Sequence, residues 1–220
     1  MYALDKTMLA ERLTAEAEAL APFISAWSGR LAVQVGAPGV AFVSSERFAR
    51  CLNVDRETAP GIVQAIPAAL PLAEGCVDVL FLVHVLDQAE SPSAVLAEAA
   101  RLLSGEGRLV VLGFRPLSPA VMRQAPARLF RPRARMLSPF RLRLLLGRAG
   151  FAWERSLGLG CGPIERRLPG PWRQHLSTSY AAIARKRVEG MTVLRPKWQQ
   201  KARERQQARQ AVLPGHGHAG

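Results

Sequence analysis

Residues 77–114 read VDVLFLVHVLDQAESPSAVLAEAARLLSGEGRLVVLGF, and the reading of this stretch decides the fold. The run Val77–Val83 is apolar on both alternating faces, as a central strand of a sheet covered on both sides requires. Ser91 then offers a side-chain oxygen to the free N–H groups of a helix's first turn, and Pro92 has its φ preset for the first helical position. Val95, Leu96, Ala99, Leu102 and Leu103 share one face at helical spacing. Residues 104–107, SGEG, are expected to end the helix, with Gly105 and Gly107 free to take positive φ. Residues 108–114, RLVVLGF, follow as a second buried strand. Strand, capped helix, glycine turn and strand make a βαβ unit, which closes right-handed and builds parallel sheets.

Working outward, residues 5–20 have the pattern of an amphipathic helix. Leu9, Leu13, Ala17 and Leu20 lie at helical spacing, with Glu11, Arg12, Glu16 and Glu18 between them and Pro22 expected to stop or bend it. Residues 31–35 (LAVQV) and 51–55 (CLNVD) are strand candidates, and an Ala/Pro-rich loop, AIPAALPLAEG, precedes Val77. Residues 115–137 are proline-broken and arginine-rich, and are expected to leave the sheet with one short helix. Ser138-Pro139 repeats the cap signature, with Leu142, Leu145, Leu146 and Ala149 as the apolar stripe and Arg141, Arg143 and Arg148 off it. Residues 151–159 and 179–188 are the last strand candidates. The alternation of strands and helices predicts an α/β fold with a doubly wound, mostly parallel sheet.

The 220 residues suit one domain, and the 49% hydrophobic share is enough for a core. No apolar run reaches the roughly 20 residues of a membrane-spanning helix, and the N-terminus lacks the apolar centre of a signal peptide. Cys51, Cys76 and Cys161 are widely spaced without metal-ligand patterns, which points to free thiols, a reducing cytoplasm and no structural metal. The net charge of +13 is uneven: residues 1–110 carry −5 and residues 111–220 carry +18. Arg128, Arg131, Arg133 and Arg135, with Lys201, Arg205 and Arg209 on one face of the polar tail, make a nucleic acid or other polyanion a candidate partner.

Ligands of doubly wound sheets bind at the C-terminal ends of the strands, beside the first strand. Gly36 and Gly39 stand there, where glycine lets backbone approach a ligand. Asp55 follows Gly36 by 19 residues, close to the spacing of an acid that holds a ribose.

Residues 70–114 resemble the class I S-adenosylmethionine-dependent methyltransferases, closest to the small single-domain branch called methyltransferase domain 11. The resemblance rests on Leu70-Pro71-Leu72, Asp78, His84-Val85-Leu86-Asp87, the helix Ala94–Leu103 and Gly105-Glu106-Gly107, and extends more thinly over residues 25–196. The closing residues 179–196 also resemble the final strand of a small proteobacterial subset. The family implies a seven-stranded Rossmann-like sheet with the last strand antiparallel. It implies S-adenosylmethionine across the first two strands and an unidentified methyl acceptor over the fourth and fifth. By this resemblance Gly36 and Gly39 border the methionine part, Asp55 holds the ribose, His84 lines the pocket, and Leu72 joins the cofactor-binding set. No residue is assigned as a catalytic base. Asp78 is expected to be structural, and Asp87 to cap or turn the loop after His84.

The sequence also departs from the family. Pro38 and Val40 replace glycines of the usual Gly-x-Gly-x-Gly loop, Gln34 or Val33 stands where an acid is common, and Ile66-Pro67-Ala68-Ala69 lacks the adenine-side acid. Two functions are therefore carried forward. One is a cytoplasmic methyltransferase; the other is a catalytically inactive methyltransferase-like module that binds an anionic partner such as RNA. A nicotinamide-dependent reductase would need a full G-x-G-x-x-G after the first strand, where this chain has Gly36-Ala37-Pro38-Gly39-Val40. Residues 1–24 are expected to form a helix packed on a domain of residues 25–196, with residues 197–220 as a basic tail.

Overall fold

The structure, a computed structural model, describes residues 6–43, 45–55, 62–115, 136–159 and 177–187. Seven strands form one sheet: β1 (Gly29–Val35), β2 (Phe48–Asp55), β3 (Ile62–Gln64), β4 (Val77–Val83), β5 (Leu103–Phe114), β6 (Phe151–Leu159) and β7 (Ser179–Lys186). Their order is β3-β2-β1-β4-β5-β7-β6. The first five strands pair in parallel, whereas β7 lies antiparallel between β5 and β6. The chain winds outward from β1 to β3, then returns to continue from β4 on the other side. The gap between the ends of β1 and β4 is thus the switch point where such sheets bind ligands.

Three helices are described, α1 (Lys6–Ile24), α2 (Pro92–Leu102) and α3 (Pro139–Arg148). On one face of the sheet Val33, Val35, Leu80, Leu82, Leu109 and Val111 pack against Val95, Leu96, Ala99 and Leu102 of α2 and Leu142 and Leu146 of α3. On the other face Ala32, Val79, Phe81, Val83, Val110 and Leu112 pack with Leu13 and Leu20 of α1 and with Phe42 and Phe48. The crossover from β1 to β2 carries no helix among its described residues. α1, from outside the winding, covers that part of the sheet.

The expected cap is present in α2, where the Ala94 N–H donates to Ser91 Oγ, and again in α3, where the Arg141 N–H donates to Ser138 Oγ. Two expectations need correction. Pro22 does not stop α1: it sits in the last turn, and the helix runs on to Ile24. Nor do Gly105 and Gly107 form a positive-φ turn, because β5 begins at Leu103 and includes both. Gly107 is needed for space instead: a Cβ there would lie 2.9 Å from a Leu103 methyl. The short helix expected within residues 115–137 falls almost wholly outside the described residues, as does the tail. No described helix is long and apolar enough to cross a membrane.

Asp78 is structural, as its position suggested. Its Oδ2 accepts the N–H groups of Arg30 (2.6 Å) and Leu31 (3.1 Å), tying the start of β4 to the start of β1. Replacing it with Ala strands two donors, one on a half-buried residue. We expect Asp78→Ala to lower unfolding free energy by about 1–2 kcal/mol with an unchanged denaturant slope, measured by urea titration.

Candidate functional site

Gly36 is the point where β1 leaves the sheet. Its N–H donates to Val54 O of β2 (2.9 Å), and a Cβ on it would lie 2.5 Å from the Val83 carbonyl of β4. Its φ is +84°, so both conformation and space demand glycine. Gly39 also has a positive φ, +87°, but a Cβ there would meet nothing within 4 Å. One glycine is therefore squeezed between two strands, and the other faces open space. Ala37 shares the left-handed region with φ +56°.

Gln34 explains how a loop with so few glycines holds its shape. Its buried side-chain amide donates toward the carbonyls of Val40 (2.7 Å), Gly36 (3.2 Å) and Ala37 (3.3 Å), and its carbonyl accepts the Phe42 N–H (3.0 Å). This work needs a donor and an acceptor on one side chain. A carboxylate at this position could accept from Phe42 but would face carbonyls with its other oxygen. Gln34 thus closes the loop upon itself.

Asp55 ends β2 beside this loop, since its neighbour Val54 holds Gly36. His84 follows β4 directly, with φ +55° and its N–H donating to Leu112 O of β5. The sheet therefore gathers Gly36, Gly39, Asp55 and His84 at one edge. Leu72 is not among them. Its carbonyl accepts from Arg101 in the last turn of α2, and α2 must run back toward the N-terminal ends of the strands to join β4 to parallel β5. Arg128, Arg131, Arg133, Arg135, Lys201, Arg205 and Arg209 lie outside the described residues.

Around His84 is a buried polar cluster that the sequence reading missed. Its centre is Glu16 of α1, 0% exposed. Glu16 Oε2 lies 2.8 Å from His84 Nε2, and Oε1 takes the Arg12 Nε–H (3.2 Å) and faces the Ser179 hydroxyl of β7. His84, 7% exposed, stacks on Phe114 with ring centroids 4.0 Å apart, and the Arg12 guanidinium sits 4.7 Å from the same Phe114 ring. On the far side, Asp87 Oδ2 is 3.6 Å from His84 Nδ1, an ion-pair distance too long for a hydrogen bond. Asp87 also accepts the N–H groups of Phe114 (2.9 Å) and Leu137 (3.4 Å), fixing the end of β5 and the approach to α3.

Burial alone would raise the Glu16 carboxyl, but His84, Ser179 and Arg12 outweigh it and hold the pKa below the usual carboxylate value. Burial alone would lower His84, but Asp87 and Glu16 outweigh it and hold the imidazole above its usual value. Nε2 of His84 thus faces Glu16 and Nδ1 faces Asp87, a clasp that favours the charged form of the ring. Glu16 could have been found from spacing: with Leu13 and Leu20 it falls on the buried face of α1, three residues after one and four before the other.

The comparisons with known proteins agree with this architecture. A family model described as "Methyltransferase domain" matches residues 30–111. The uncharacterised Escherichia coli K12 protein YafS is 33% identical over 172 residues, 73% of this chain and 68% of its own. A S-adenosylmethionine-dependent methyltransferase from Thermotoga maritima superposes with TM-score 0.59 at 20% identity, covering 83% of this chain and 94% of that one. A Burkholderia thailandensis 1,6-didemethyltoxoflavin-N1-methyltransferase, solved with bound 1,6-didemethyltoxoflavin and S-adenosylhomocysteine, gives TM-score 0.59 at 16% identity, with 84% of this chain and 82% of that one covered.

The clasp has a signed pH dependence. Glu16, with a lowered pKa, stabilises the fold above the unfolded carboxylate value near 4.3 and loses that contribution as pH falls through its folded pKa. His84, with a raised pKa, stabilises fully below about pH 6.5 and loses its contribution as pH rises through its folded value. Stability should therefore peak between these values and decline on the alkaline side. We expect Glu16→Gln to cost about 3 kcal/mol near pH 6 and to flatten the alkaline decline, read from denaturation curves across pH. Separately, Gln34→Glu should cost about 2–3 kcal/mol despite its near-identical shape, because a buried carboxylate oxygen would face carbonyl oxygens.

Proposed function

We propose that this chain, which belongs to the class I methyltransferase family, transfers a methyl group from S-adenosylmethionine to an acceptor held over the ends of β4 and β5. The observation that carries this reading is the convergence of Gly36, Gly39 and Asp55 at the switch point of the sheet. S-adenosylmethionine supplies a sulfonium-activated methyl group, a strong electrophile toward a neutral or anionic nucleophile.

The residues present fit most of that cofactor. The open side of Gly39 leaves room at the loop for the methionine portion, and the Asp55 carboxylate is the group suited to vicinal ribose hydroxyls. On the adenine side no acid stands in Ile66-Pro67-Ala68-Ala69. Ile66, 64% exposed and just past β3, offers an apolar surface to a base instead. The Ala65 N–H donates to Asp55 O, which keeps this segment beside the ribose position.

His84 acts here as a positioning residue. Its ring is occupied by Glu16 and stacked on Phe114, so the cluster stiffens the wall over β4 and β5 on which an acceptor would rest. No proton transfer is assigned to it, and orientation of the acceptor supplies the catalysis.

Calorimetry with S-adenosylmethionine and S-adenosylhomocysteine tests the reading, with saturable binding expected and no heat at millimolar ligand sufficient to sink it. Asp55→Ala should weaken that binding about tenfold or more through loss of charge-assisted hydrogen bonds. Gly39→Val should weaken it as well, by filling the open side of the loop and by straining a backbone held at φ +87°. Affinities unchanged in both variants would place the cofactor elsewhere.

A further inference from the structure

The outer face of α3 carries apolar side chains that the core does not use. Phe140 is 74% exposed and Leu144 53%, while Leu142 and Leu146 on the opposite side are fully buried against the sheet. At about 100° per residue, Phe140, Leu144 and Gly147 form one outward stripe. Arg143 flanks that stripe on one side, and Arg141 and Arg148 on the other; all three are exposed. A shallow groove runs along it, lined by Phe140, Arg143, Leu144, Gly147 and Arg148. No acid is among these described lining residues, and the sequence from 115 to 148 has nine arginines and no Lys, Asp or Glu.

An apolar stripe with guanidinium groups on both sides complements a surface that is anionic outside and apolar a few ångströms in. We propose that this face of α3 docks on an anionic phospholipid surface, with Phe140 and Leu144 entering the boundary between headgroups and acyl chains and the three arginines pairing with lipid phosphates. A nucleic acid would satisfy the arginines but leave Leu144 without a use, since stacking favours aromatic faces and Phe140 is the one aromatic on α3. The position of the stripe has a consequence for the neighbouring site. α3 begins just after Leu137, whose N–H reaches Asp87, so a membrane on this face would lie beside the ends of β4 and β5. The docking surface itself does not depend on methyl transfer.

Co-sedimentation of the full chain with vesicles tests it. Phosphatidylcholine vesicles containing about one-third phosphatidylglycerol should bind at least tenfold more tightly than pure phosphatidylcholine. F140S/L144S should lose about tenfold in partitioning to the anionic vesicles, and R141Q/R143Q/R148Q a similar amount, with melting curves unchanged because these side chains pack on nothing in the core. As a second measurement, F140W should be quenched by bromine-labelled acyl chains more than the parent chain is. Equal binding to neutral and anionic vesicles, or anionic binding that F140S/L144S leaves intact, overturns the proposal. Tight binding to an RNA duplex without vesicle binding overturns it too, and assigns the face to nucleic acid. Unaltered quenching in F140W does the same by showing that the helix does not enter the lipid.

Discussion

A single buried ion pair connects parts of this molecule that sequence keeps far apart. Glu16 is in the first helix, His84 follows the fourth strand, and Ser179 opens the last; all three meet at one carboxylate. A sheet of this kind needs cover on both faces. The winding supplies α2 and α3 to one face, but the described part of the crossover after β1 supplies no helix to the other. α1 covers that face through Leu13 and Leu20, and apolar contact alone would let such a helix slide or turn. The charge pair fixes its register. The same contact ties the covering helix to the edge of the sheet where a cofactor and acceptor would meet.

The glycine loop shows how an altered motif can keep its geometry. In the sequence it reads as half of a familiar pattern, with Pro38 and Val40 in place of glycines. In the structure the glycine at the crowded position, Gly36, is retained, because the carbonyl of Val83 leaves no room for a Cβ. The other replaced glycines are offset from within the protein. Gln34 gathers the loop's carbonyls onto one amide, so the path of the backbone depends less on glycine freedom and more on a buried side chain.

Much of this was legible in the sequence. The βαβ unit from Val77 to Phe114, both Ser-Pro caps and the strand limits of Val77–Val83 follow from local chemistry: side-chain oxygen before proline, apolar faces at period 3.6, and unbroken apolar runs. Asp55 at the end of β2 follows from its spacing after Gly36, and Asp78 from its place at the entry of the β4 run. The misreadings have physical causes. Gly105 and Gly107 signal a turn by conformational freedom, but Gly107 is there because Leu103 crowds it. Leu72 sits in a motif whose role is to pack on α2, which only the direction of the helix reveals. Spacing sets Glu16 among the polar residues between the apolar positions of α1, and no local rule says that an imidazole 68 residues later will meet it. Long-range electrostatics of this sort is invisible to periodicity.

The position of β7 has a consequence for the order in which the molecule can be built. β6 finds its pairing in β7, and β7 lies between β6 and β5, so β6 has no place in the sheet when it leaves the ribosome. The five parallel strands can assemble first, leaving the edge of β5 open and Glu16 without Ser179. Residues 179–186 fill both places: β7 pairs antiparallel with β5 and β6, and Ser179 reaches Glu16. The last described strand is thus a keystone: the part of the sheet beyond β5 is complete only when β7 is in place.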